Sequence, residues 1–126
     1  MGGLRTLVGA GMIAFLGALP TYAVNDTLVQ RFAECAGRLS AQMEYSWLVN
    51  LPPEQITTLR ASMIALLDAV TPVDARRQVL AQRIAAKAAH WSLLTRATFN
   101  DDAQDAAWAR ARAEQSVSAC ASLALS

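Results

Sequence analysis

Apolar residues recur along most of the chain at spacings of three and four, a pattern that predicts amphipathic helices. In the first segment the recurring residues are Leu28, Phe32, Cys35, Leu39, Met43 and Trp47. In the second they are Ile56, Leu59, Met63, Leu67 and Val70, and in the third Val73, Leu80, Ile84, Trp91 and Leu94. No segment sustains the apolar-polar alternation of a strand. The sequence therefore predicts an all-α protein.

Caps and prolines divide this pattern into helices at about 26–49, 53–70, 72–97 and 101–124. Asn25 or Asp26 would cap the first helix, and the prolines of NLPPEQ would end it. Thr71, with Pro72 at the first helical position, would cap the third helix, and Asn100 would cap the fourth. Similar lengths and short turns predict a small antiparallel four-helix bundle with up-down-up-down topology.

The first 23 residues have the features of a secretory signal peptide. MGGLR carries one positive charge, TLVGAGMIAFLGAL is an apolar run, and PTYA ends in small residues that favour cleavage after Ala23. An uncleaved membrane anchor is the alternative, but the run is shorter than the roughly 20 residues that cross a bilayer and contains glycines. We expect a periplasmic or secreted protein whose single domain, residues 24–126, has no membrane span.

The two cysteines, Cys35 and Cys120, gain significance from this predicted export. In an oxidising compartment two cysteines usually pair, so the sequence predicts one disulfide between the first and the last helix. Closing so long a loop stabilises a small domain by about 4 to 5 kcal/mol on the chain-entropy estimate.

Charge is unevenly distributed along a chain that is close to neutral. The 11 Lys and Arg against 10 Asp and Glu become balanced once Arg5 is removed, which argues against nucleic-acid binding. The third helix is nonetheless basic, and Arg76, Arg83, Lys87 and His90 form a ribbon beside its apolar stripe. The ribbon is either a solvated flank or a docking surface for an acidic partner, an anionic lipid surface or an anionic polymer.

The sequence contains no recognisable catalytic or cofactor-binding motif. It has one histidine and lacks CxxC, CxxCH, GxSxG, HExxH and a glycine-rich phosphate loop. His90 with Met43 or Met63 could ligate haem in a bundle, but the helical wheel puts His90 at the boundary of its apolar face. The acidic residues Asp101, Asp102 and Asp105 stand where a helix dipole favours negative charge, so no metal site is predicted.

Four further residues are candidates for contact with a partner. Trp108 projects away from the side of the fourth helix that carries Cys120, and is either packed under a loop or exposed as an interface anchor. Gly37 costs about 1 kcal/mol in a helix relative to alanine. With the small residues Ala33 and Ser40 beside it, Gly37 predicts a close approach of another helix or of a partner.

These features together favour a non-enzymatic exported protein that binds another protein. Its expected role is as an accessory or interaction subunit of an envelope or secreted assembly. The alternative is a periplasmic stress chaperone that holds unfolded clients. A carrier of a non-covalent cofactor or small ligand is less favoured, because the many alanines allow close helix packing and leave little need for a cavity.

Overall fold

The computed structural model describes residues 2–3 and 22–126, with side chains from residue 27 onward, and the chain is helical throughout 22–126 apart from its short turns. The helices are α1 Tyr22–Leu48, α2 Glu54–Val70, α3 Arg76–Phe99 and α4 Ala103–Leu125, with a 3₁₀ turn at Val73–Ala75. The all-α prediction is confirmed. Residues 1 and 4–21 of the predicted signal peptide lie outside the described residues. Among the described helices, none is long and apolar enough to span a membrane.

Helix α1 forms the centre of the fold and packs against both α2 and α3. The predicted stripe of α1 is largely correct, since Phe32, Leu39 and Met43 are buried, whereas Trp47 at its end is 58% exposed. The prediction that Asn25 or Asp26 caps α1 is wrong, because the helix begins earlier, at Tyr22, and no proline or glycine interrupts it there. The main core gathers residues of all four helices, among them Phe32, Leu39, Met63, Leu67, Val79 and Cys120.

Helices α1 and α3 meet in a close contact, the α1–α3 seam, where Gly37 lies against the backbone of α3. A Cβ placed on Gly37 would clash with the carbonyl oxygen of Arg83 and lie 2.9 Å from the Lys87 nitrogen and 3.0 Å from the Ala86 Cβ. Only glycine permits this approach. Of the two alternatives for Gly37, the structure shows contact with another helix of the same chain.

This close approach explains why the predicted apolar stripe of α3 is only partly correct. Val73, Leu80 and Ile84 were expected in the core but are 76%, 53% and 61% exposed. Leu94 is buried as predicted, and the other buried residues of α3 are Val79, His90 and Ala97. Backbone contact at Gly37 brings the narrow side of α3 at Ala86 against α1, which leaves the bulky Leu80 and Ile84 at the edge of the interface.

Helices α2 and α3 are joined by residues 71–75, yet no close contact between the two described helices is formed along their lengths. The prediction that Thr71 caps α3 is wrong, because Thr71 ends α2: its backbone N–H and its hydroxyl both donate to the Leu67 carbonyl, at 3.0 and 2.6 Å. Pro72 then adopts an extended conformation (ψ 150°) that cannot continue either helix. Since α2 and α3 do not pack on each other, part of α1 remains accessible between them.

The turn between α1 and α2 is a Schellman motif with asparagine in the position that glycine usually holds. Asn50 has a positive φ of 56°. The Leu51 N–H donates to the Ser46 carbonyl at 2.8 Å, and the Asn50 N–H reaches the Trp47 carbonyl at 3.4 Å. These bonds satisfy the Ser46 and Trp47 carbonyls and account for the predicted helix end at NLPPEQ.

Helix α4 is attached mainly to α3, and at its far end to α1 by the predicted disulfide. Cys35 and Cys120 are bonded, with their Cα atoms 5.5 Å apart, which confirms the pairing. Asp102, and not the predicted Asn100, is the N-cap of α4 because its carboxylate accepts from the Gln104 and Asp105 N–H groups. Asn100 instead supports the cap by accepting from the Asp102 N–H at 3.0 Å.

Candidate binding sites

A groove lies between α2 and α3 with α1 as its floor; we call it the α2–α3 groove. It consists of two adjoining hollows of about 170 and 430 Å³ that share Leu80 and Arg83. The floor residues are Gly37, Ser40 and Glu44. The walls comprise Arg60, Leu67, Asp68 and Thr71 from α2, and Arg76, Val79, Leu80, Arg83, Ile84 and Lys87 from α3.

The groove combines exposed apolar side chains with an excess of basic ones. Its cations are Arg60, Arg76, Arg83 and Lys87, and its acids are Glu44 and Asp68. Lys87 Nζ lies 2.6 Å from Glu44 Oε1. Among the described residues Arg76 and Arg83 have no carboxylate within 4.0 Å, so their charge is available to a ligand.

The groove contains three of the four residues of the predicted basic ribbon: Arg76, Arg83 and Lys87. The fourth, His90, was expected at the boundary of its helix, but the structure buries it with 2% exposure. The seam explains this position, since the stripe of α3 that faces Gly37 continues one turn later through His90. His90 therefore cannot contact a partner in the folded protein.

His90 is held neutral in a polar contact within the seam. Its Nε2 lies 2.9 Å from Oε1 of Gln42, a carbonyl oxygen that can only accept, so the proton is on Nε2. Burial, with a contribution from the charge of Arg38, lowers the pKa of His90 to about 4. Its Nδ1 is buried without a hydrogen-bond partner among the described residues. His90 is thus a core residue that resists protonation.

The small residues predicted as partner contacts are used within the chain. Ala33 is fully buried, and Ser40 is buried with its hydroxyl donating to the Ala36 carbonyl at 2.7 Å. Ser40 Oγ also accepts from Arg60 Nε at 2.7 Å, which fixes a basic side chain at the groove. These residues position the groove but offer little surface to a partner themselves.

Trp108 is exposed and not packed under a loop, and its role as an interface anchor stays a prediction. It is 55% exposed, and the Arg96 guanidinium lies over its ring at 5.2 Å from the centroid. Arg96 also binds Asp105 through Nη2 at 2.6 Å, which raises the pKa of Arg96 and lowers that of Asp105. Trp108 lies outside the α2–α3 groove and forms a separate exposed aromatic surface.

Acidic residues near the start of α4 have structural partners. Asp102 is the helix cap, and Asp105 accepts from Arg96 and from Asn100 Nδ2 at 2.6 Å. The described part of the chain contains no group of three or more His, Cys, Asp or Glu residues arranged to hold a metal ion.

Glu44 and Val79 of the groove were absent from the residues predicted from the sequence, and so were two charged residues, Arg60 and Asp68. Both lie on α2, whose polar positions gave no charge pattern comparable to the ribbon of α3. One indication in the sequence that Arg60 has a particular role is that it is the only basic residue of α2.

Comparisons with protein-family models, curated proteins and solved structures give no significant match to this chain.

Proposed function

We propose that the protein is an exported, non-enzymatic binding module that recognises an acidic, amphipathic segment of another protein in the α2–α3 groove. The observation that carries this proposal is the exposure of Leu80 and Ile84 beside Arg76 and Arg83, whose charges are free. Residues that would normally complete a core are here left at the edge of a basic groove. Such an accessory role in an envelope or secreted assembly requires no catalytic group.

The chemistry of the groove favours a helical ligand with apolar and acidic faces. Amphipathic helices bind grooves by placing apolar anchors at spacings of three and four against the floor and walls. Leu80 and Ile84 are spaced by four residues and would receive such anchors, while Arg76 and Arg83 would pair with flanking carboxylates. Charge-assisted pairs of arginine with carboxylate are among the stronger hydrogen bonds.

A designed peptide tests this proposal even though the natural partner is unidentified. An amphipathic helix with leucines on one face and glutamates beside them is titrated into the protein, and the Ile84 methyl resonance is followed by NMR. We expect saturable binding that shifts Ile84 and weakens with salt. An isomer with the same composition but scrambled spacing serves as the ligand control.

Charge reversal provides the protein control. Arg76→Glu with Arg83→Glu is expected to weaken the peptide at least tenfold, because two attractive contacts become repulsive. Arg77→Glu with Arg112→Glu makes the same charge change outside the groove and should have little effect. Equal weakening by both pairs would reduce the interaction to general electrostatics and contradict the groove proposal.

Export through cleavage after Ala23 is part of the same proposal. The Cys35–Cys120 disulfide supports an oxidising compartment such as the periplasm, where the domain of residues 24–126 would act as a four-helix bundle. Amino-terminal sequencing of the protein recovered from the periplasm or medium should begin at Val24. Recovery of the intact amino terminus in the membrane fraction would support the retained anchor instead.

A second candidate function, an acid-activated holdase, is favoured by buried His90. As the pH falls below 6.5, the ordinary pKa of histidine, protonation of His90 favours the unfolded chain because the buried side chain is neutral in the folded protein. Protonation would therefore loosen the α1–α3 seam and expose apolar helix faces. Suppression of client aggregation should then increase between pH 6.5 and 4 in the native protein and less in His90→Gln. Identical pH responses of the two proteins would exclude His90 as the trigger.

A further inference from the structure

A second cavity lies under the middle of α4, away from the α2–α3 groove. We call it the α4 cleft; its volume is about 600 Å³, within the roughly 300–1,000 Å³ of small-ligand pockets. Its apolar lining consists of Leu51, Ile56, Leu94, Ala97, Ala113 and Val117. On α4 the lining extends from Arg110 to Ser118, about 12 Å at 1.5 Å per residue. The cleft is therefore long enough for an extended chain.

The cleft is bordered by α4, which packs mainly on α3 and is fastened on either side of the cleft. Toward the carboxyl end, Cys120 is bonded to Cys35. Toward the amino end, Arg96 pairs with Asp105, and Arg110 Nη2 donates to the Ala97 carbonyl at 3.1 Å. Between these attachments α4 presents the small side chain of Ala113, which cannot fill the space to α1 and α2.

One polar group in the cleft has a fixed orientation and an unused donor. Gln42 lines the cleft, and its Oε1 is occupied by His90 Nε2. Its Nε2 amide group therefore points its two hydrogens elsewhere, and among the described residues it has no partner. Tyr45 and Thr98, also in the lining, bond each other at 2.6 Å. At the rim, Arg110 and Glu114 carry opposite charges, so the rim does not select a ligand by net charge.

We infer that the α4 cleft binds a single-chain amphiphile whose oxygen-containing head accepts a hydrogen bond from the Gln42 amide. The alkyl or acyl chain would lie along α4 against Leu94, Ala113 and Val117. The head would lie at Gln42, next to the buried pair that this residue forms with His90. This site is independent of the proposed protein-binding groove, since the two share no lining residue.

Isoleucine methyl groups distinguish the two sites in one sample. Ile56 lines the cleft, Ile84 lines the groove, and Ile64 lines neither. Decanol is titrated into the disulfide-bonded protein labelled at isoleucine δ1 methyls. We expect a saturable shift of Ile56 alone. Failure of Ile56 to shift, or equal shifts of all three signals, would overturn the inference while leaving the result for acidic peptides at Ile84 unaffected.

Variants that block the cleft test where the alkyl chain of the ligand lies. Ser118→Trp places an indole at the exposed rim of the cleft without altering the core, and Val117→Trp fills the interior. Both should weaken decanol at least tenfold. Ala107→Trp makes the same kind of change on an exposed part of α4 outside the cleft and should leave the affinity unchanged. Full binding by Ser118→Trp, with its native fold verified by circular dichroism, would place the ligand elsewhere.

The position of the head group is tested by changing the hydrogen-bonding groups of the ligand and of residue 42 in turn. Decylammonium can only donate, so it should bind the native protein at least tenfold more weakly than decanol. Gln42→Glu has the same shape, keeps an oxygen for His90 and loses the amide donor. We expect this variant to prefer decylammonium. An unchanged preference would show that Gln42 does not contact the head group.

Discussion

The α1–α3 seam and the attachment of α4 hold the fold together in opposite ways. In the seam two backbones meet at Gly37 with no space for even a methyl group. Helix α4 instead borders a cleft of about 600 Å³; it packs mainly on α3 and is joined to α1 by the disulfide. Tight packing fixes the register of two helices, whereas attachment at separate points leaves space between the helices that are joined. The same small chain thus contains a rigid part and a part that can admit a ligand.

Among the changes that test this comparison, removal of the disulfide should have the largest effect. Cys35→Ala with Cys120→Ala removes a crosslink across 85 residues and should lower the free energy of unfolding by about 4 to 5 kcal/mol. Urea denaturation measures the loss. Hydrogen exchange should show α4 losing protection before the seam does. An unchanged melting temperature under reducing conditions would contradict the role assigned to this attachment.

Acid should weaken the seam through His90. Its pKa in the folded protein, about 4, is below the ordinary value of 6.5, so the unfolded chain takes up the proton first. The contribution of neutral His90 to the free energy of unfolding is fully present above pH 6.5. It declines as the pH falls toward 4, by roughly 3 kcal/mol in total. Urea denaturation from pH 7.5 to 4 measures this decline. His90→Gln should show a shallower decline, and a parallel one would assign the pH dependence to other groups.

Substitution of Gly37 tests the seam by steric means. Gly37→Ala should push α3 away from α1 at a cost of about 3 kcal/mol, offset by about 1 kcal/mol of improved helix propensity. We therefore expect a net destabilisation of about 2 kcal/mol in urea denaturation. Ala88→Gly, on the exposed side of α3, measures the propensity contribution alone. A more stable Gly37→Ala protein would mean that the two backbones can separate freely.

The smallest expected effect comes from the cap of α4. Asp102→Ala removes the carboxylate that accepts from the Gln104 and Asp105 N–H groups and should cost about 1 kcal/mol. Thermal melting measures the loss. Asp102→Asn retains an accepting oxygen and should restore most of the stability. If both variants melted alike, the charge at the dipole and not the cap would be the stabilising element.

The sequence allowed α1 and α2 to be predicted better than α3. Met63 and Leu67 are buried as their spacing indicates, because α2 packs through large side chains whose period is visible in the sequence. In α3 the decisive interaction is a backbone contact at Arg83, which leaves no trace in the hydrophobic pattern. Only Gly37, on a different helix, signalled it.

The candidate sites could be predicted from the sequence only in part. The basic residues of α3 were evident from the sequence, but the groove also requires that α2 and α3 stay apart, a property of the whole fold. The α4 cleft could not be predicted, because alanines at α4 positions such as Ala113 suit close packing as well as open space. Which outcome occurs depends on where the disulfide and Arg110 hold the helix.

The disulfide also determines how the protein would respond to mechanical load. Since Cys35 and Cys120 join the first helix to the last, tension applied at the two ends of the chain passes through the sulfur–sulfur bond. Only the segments before residue 35 and after residue 120 can lengthen while that bond is intact. The α1–α3 contact at Gly37 and both proposed binding sites therefore lie inside a covalent ring that pulling cannot unravel.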